Sequence, residues 1–183
     1  RRLHKEMYPQ EHLYEWTFED KIRLLQGIAY KLHSTESKNK EKKNEGKEKN
    51  DEALIVVSRE ELLKIIEEII EENKEIWQTI KLEHAESLLR FYLTRTGLLH
   101  EPEENKIQFS HLSFQEYLSA RFIYKRVIED FFNAAQIIKE EIIARLTKDK
   151  FNRWSETLLL FCSLNKAATH DILSNIQKII KDE

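Results

Sequence analysis

The sequence predicts a mainly α fold with one small β-hairpin and a helical segment behind it, and three observations carry that expectation. Of 183 residues only three are Gly and two are Pro, too few for the turns of a sandwich or barrel. Apolar side chains recur at three- and four-residue spacings along most of the chain, as in one-sided helices. That period breaks once, between Leu98 and Phe109, where two short runs flank a polar, Pro-containing stretch. At 22.0 kDa the chain can bury roughly 70% of its extended surface, enough for a core without disulfides or metal.

Residues 1–16 read as a linker or the end of a preceding domain. Phe18, Ile22, Leu25, Ala29 and Leu32 then line one face of a helix that opens at Thr17 with Asp20. Residues 34–50 contain no apolar side chain, so nothing offsets the entropy cost of ordering them, and they read as a disordered insertion. The β-branched run Ala53–Val57 predicts one strand. Ser58 and Glu61 form a capping box for a helix to about Glu72, with Leu62, Ile66 and Ile69 inward and Glu67, Glu68 and Glu71 in water. A further helix over Leu82–Thr96 ends at Gly97, the residue best suited to a left-handed cap.

Leu98–His100 and Lys106–Phe109 predict a hairpin around the tip 101–105. Helix, strand, helix, helix, hairpin is the order of a winged helix, here spanning residues 17–128. Ser113 and Glu116 suggest a second capping box that starts an aromatic-rich helix. Ser113 is then a cap, and Phe114, Tyr117 and Leu118 are core. Helices near 129–147, 151–164 and 170–181 complete a helical domain over 129–183.

Several chemistries lack their residues. Gly27, Gly46 and Gly97 are isolated, and Gly46-Lys47 is followed by Glu48 rather than Ser or Thr, so no phosphate-cradling loop exists. The seven His show no zinc spacing, and the paired carboxylates sit on faces that read as solvated, poor settings for acid–base catalysis. The expectation is no enzyme, no metal site and no cofactor held by this chain alone. Cys162 is the single cysteine and reads as a small core residue of a cytoplasmic protein. No run approaches a membrane span. The first residues lack both an initiator Met and the apolar core of a signal peptide, as in a piece of a longer polypeptide.

The stretch Phe109-Ser110-His111-Leu112-Ser113-Phe114-Gln115-Glu116-Tyr117-Leu118-Ser119-Ala120-Arg121 resembles the signature that closes the winged-helix domain of NACHT proteins. These are STAND-class signalling NTPases, among them NOD-like receptors and bacterial anti-phage defence proteins. Leu25–His33 is similar to their first winged-helix segment, Leu88-Leu89 through Leu99 to the entry of the wing, and Arg153-Trp154-Ser155-Glu156 to a following Trp-x-Glu helix. The insertion at 34–50 departs from the pattern.

The resemblance implies a role for His111, which in the family points into the nucleotide site of the neighbouring P-loop module and contacts the β-phosphate of ADP. From the residues alone, His111 reads instead as a partner of backbone groups between hairpin and helix. The implied protein is a longer NTPase using ADP or ATP with Mg, in which this chain is a regulatory arm. Its partners are the parent's nucleotide-binding domain and, on activation, further copies of the parent. Two other readings stand beside it: a winged-helix DNA-binding module and an all-helical protein-interaction scaffold. Against DNA, the third helix carries Glu83 and Glu86 against Arg90 and Arg95, and residues 98–110 carry three Glu against one Lys.

Overall fold

The computed structural model of the protein describes residues 16–35, 55–77, 80–145, 148–166 and 169–170. The polar insertion beyond Thr35, the lead-in before Trp16 and the last predicted helix beyond His170 lie outside them. Helix α1 spans Phe18–Ser34, and its capping box uses Thr17 and Asp20 as their spacing predicts. It buries Leu24, Leu25, Ile28 and Leu32 almost completely, each contributing about 1.5–3 kcal/mol of transfer free energy. Trp16, grouped with the lead-in by sequence, lies in the same core with its ring 5.0 Å from that of His84.

The predicted strand is shorter than the apolar run. β1 is Val57–Ser58, because Ser58 already caps α2, Arg59–Glu72, while Ile55 is buried in the core outside the ladder. α2 buries Leu62, Ile66, Ile69 and Ile70 and leaves Glu67, Glu68 and Glu71 exposed. A 3-10 turn at Leu82–His84 leads into α3, Ala85–Phe91, which widens into a π-helical turn over Tyr92–Thr96. Two hydroxyls account for the widening: Thr94 Oγ1 donates to Arg90 O and Thr96 Oγ1 to Tyr92 O, both at 2.8 Å, competing with backbone N–H donors for those carbonyls. Gly97, at φ 65°, ends the element in the left-handed region.

The hairpin differs from its prediction at the tip. β2 is Leu99–Glu103 and β3 is Lys106–Phe109, so the turn is Glu104–Asn105 and Pro102 lies within a strand. Pro102 is tolerated there because β3 is central in the order β1-β3-β2 and β2 is an edge. The register is irregular between His100 and Glu103. Asn105 supplies the left-handed φ of 60°, and its N–H donates to Glu101 Oε1 at 2.6 Å. Leu99, Ile107 and Phe109 turn one sheet face into the core.

Helix α4, Leu112–Glu129, is the axis of the molecule. Its first half meets the winged-helix core at Leu118, and its second half supplies Ala120, Ile123 and Val127 to a second core with Ile137, Ile142, Trp154, Leu158 and Phe161. The predicted helix over 129–147 is broken into three pieces: a 3-10 turn at Phe131–Asn133 capped by Asp130, α5 at Ala134–Glu141, and a second 3-10 turn at Ile143–Arg145. α6 spans Lys148–Leu164. Cys162 is half-buried, and desolvation raises its thiol pKa. Among the described residues no helix is long and apolar enough to cross a membrane.

Candidate functional site

His111 sits where the wing hands the chain to α4. Ser110 N donates to Leu98 O at 2.9 Å and Ser110 Oγ to Gly97 O at 2.6 Å, which ties the end of β3 to the start of β2. His111 therefore leaves the sheet still extended, at φ −142° and ψ 142°, and it is the N-cap of α4. This corrects the second capping box: Ser113 is not the cap but the second residue of a helix that begins earlier. No side chain caps α4 and no acid lies in its first turn, whereas α1 and α2 each carry a complete box with Asp20 or Glu61.

The His111 side chain is exposed, and its ring stands edge-on to Phe114 at 5.3 Å. Among the described residues it makes no side-chain hydrogen bond, so the backbone-satisfying alternative has no support there. His111 is the N-cap of an 18-residue helix, whose start carries N–H groups without intrahelical acceptors and the positive end of the helix dipole. An imidazole N–H and this helix start suit an anion.

The rest of the motif separates into two faces. Phe114 and Tyr117, expected in the core, are 39% and 46% exposed, while Leu118 is buried. At 100° per residue Phe114 and Tyr117 point away from the face of Ser119 and Ile123 that is packed. Gln115 lies on that packed face and is fully buried. Its Nε2 is 3.3 Å from His33 Nδ1 on α1, and His33 Nε2 is 3.1 Å from Thr157 Oγ1 on α6. Sequence reasoning did not single out this chain of three buried polar groups. The signal was present: His33 falls four residues after Ala29 on the apolar face of α1, and Thr157 three after Trp154.

Burial, reinforced by the Arg153 guanidinium, pushes the His33 pKa down to about 3, so the ring is neutral. Trp154 covers it edge-on at 4.4 Å. Next to it, Arg145 lies over the Trp154 ring at 4.4 Å, donates to Tyr30 Oη at 2.7 Å and pairs with Glu141 at 3.0 Å. Tyr30 in turn donates to Glu141 and stacks on Phe122 at 4.6 Å. Burial and the neighbouring carboxylate push the Tyr30 phenol up to about 12. α1 is thus joined to the helices behind the wing by polar as well as apolar contacts.

No curated protein and no solved structure is significantly similar to the chain. A family model does match: residues 8–123 fit the winged helix-turn-helix domain C-terminal to NACHT. The match covers more than half of the 183 residues, includes the wing and runs into α4 beyond His111. With the element order and the β1-β3-β2 sheet, it establishes that this chain belongs to the family of winged helix-turn-helix domains C-terminal to NACHT.

Proposed function

We propose that this chain is the winged-helix switch arm of a NACHT-type signalling NTPase and stabilises its ADP-bound, closed state. The observation that carries the reading is His111: an exposed imidazole at the uncapped start of a long helix, with no internal hydrogen-bond partner among the described residues. In the closed parent, the nucleotide-binding domain presents ADP, bound with Mg, to this corner. The imidazole N–H donates to the β-phosphate, and the start of α4 adds its dipole. The chain itself performs no catalytic step. A hydrogen bond to a charged acceptor is worth about 1.5–3 kcal/mol, a bias of roughly ten- to a hundredfold between states.

Exchange of ADP for ATP alters the phosphate seen from His111, which supplies the differential contact a switch requires. The released arm then allows the parent to assemble with further copies of itself, in cytoplasmic immune or anti-phage signalling. The test is titration of residues 1–183 into the parent's separately prepared nucleotide-binding domain, loaded with ADP or with ATP and Mg. Tighter binding to the ADP form is expected. Equal affinity for both forms would contradict the proposal, because a ligand shifts an equilibrium only by its differential affinity.

A further inference from the structure

One turn beyond His111, the motif helix turns a polar side chain into the protein instead of out of it. Gln115 and His33 are 0% and 2% exposed, and Thr157 is 0% exposed. They come from three helices, α4, α1 and α6, and the imidazole of His33 bridges the other two at 3.3 and 3.1 Å. Apolar groups flank the chain, with Leu32 preceding His33, Trp154 edge-on to its ring and Leu158 following Thr157, while Arg153 and Arg145 lie close enough to His33 to disfavour its charged form. Apolar helix faces tolerate small slides past one another, whereas a directed hydrogen-bond chain holds one register.

We propose that Gln115 is a positioning residue for His111, and that the Gln115–His33–Thr157 chain couples the nucleotide-facing start of α4 to the register of α6. The proposal rests on the reading of His111 given above. Gln115 lies in the first turn of α4, four residues after its N-cap His111, so a rotation or slide of α4 that withdraws His111 also withdraws the Gln115 amide. His33 then loses a partner in a site that holds it neutral, and its bond to Thr157 loses its fixed geometry. The converse holds by linkage: a change at Thr157, on another helix, alters how firmly His111 is held. Gln115 Oε1 has no hydrogen-bond partner among the described residues. The chain is therefore incompletely satisfied, as suits an element that must yield when the arm is released.

The test is the rate of ADP release from the full-length parent carrying Gln115→Leu, Thr157→Val, Thr157→Ser, the Gln115→Leu/Thr157→Val pair, or His111→Ala. Each of Gln115→Leu and Thr157→Val should speed release by about fivefold, the size of one ordinary hydrogen bond. The pair should be no faster than its faster member, since both break one chain. Thr157→Ser keeps the hydroxyl and should release ADP at the wild-type rate. A packing role predicts the reverse order, because Val preserves the shape of Thr and Ser does not. Release accelerated by His111→Ala but unchanged by Thr157→Val would overturn the coupling while leaving the His111 reading intact. Release accelerated by Thr157→Val but not by His111→Ala would overturn the His111 reading, and the positioning role with it.

Discussion

Acidification should weaken this protein through His33. The folded protein holds His33 at a pKa of about 3 through burial, Arg153 and Arg145, against about 6.5 in an unfolded chain. Below pH 6.5 the unfolded state therefore binds a proton that the folded state refuses. Stability contributed by the neutral ring is complete above that value and is lost as pH falls towards the folded pKa, with a limiting slope of about 1.4 kcal/mol per pH unit. Between pH 7.5 and 5 the loss from this single group is about 2 kcal/mol, a large share of a typical domain's stability. The quantity that isolates this group is the difference between wild type and His33→Gln, which keeps a neutral polar side chain in place. Urea unfolding at half-unit pH steps gives that difference directly. The wild-type curve should fall below its pH 7.5 value by about 2 kcal/mol more than the variant's. Parallel curves would show that the folded state protonates His33 readily, and that the buried chain to Gln115 and Thr157 is not held as described.

Gly27→Ala tests the closest packing between α1 and α2. Helix propensity favours Ala by about 1 kcal/mol, but its Cβ would stand 3.2 Å from Ile69 Cδ1 and Cγ2, and overpacking costs about 1–3 kcal/mol. A net loss of about 1 kcal/mol is expected in urea unfolding, reduced when Ile69→Val is introduced with it. Tyr92→Phe removes the bond from Tyr92 Oη to Lys21 O at 2.7 Å and should cost about 1 kcal/mol; no loss of stability would show that this fully buried hydroxyl contributes nothing. Duplex DNA should not be a specific partner, because Glu86 on α3 already pairs with Arg59 and residues 98–110 are acidic. Submicromolar, salt-sensitive binding in a fluorescence-anisotropy titration would contradict that expectation.

Element type and order were readable from sequence wherever the signal was local. Thr17–Asp20 and Ser58–Glu61 mark helix starts because each box satisfies its own orphan donors. Gly97 marks an end because the left-handed cap excludes most other residues. The misreadings around α4 depend on contacts that are distant in sequence. Ser113 and Glu116 match the spacing of a box, but Ser110 anchors the chain to Gly97 and Leu98 and starts α4 at Leu112. Phe114 and Tyr117 look like core until the far side of α4 is seen to hold Gln115, Ser119 and Ile123. The buried role of Gln115 could not be read locally, since its partner His33 lies 82 residues away in sequence. The motif singles out His111, and the structure places its side chain exposed at a helix start with no side-chain cap.

ADP release from the full-length parent carrying His111→Ala, measured beside the melting of residues 1–183 with the same substitution, decides whether His111 holds the nucleotide or the fold. Because the side chain is exposed and makes no side-chain hydrogen bond among the described residues, the chain's own stability should change by less than about 0.5 kcal/mol. Loss of one hydrogen bond to the β-phosphate should meanwhile speed ADP release by roughly ten- to a hundredfold. Unchanged ADP release together with a strongly destabilised chain would contradict the account and leave His111 a structural residue of the wing.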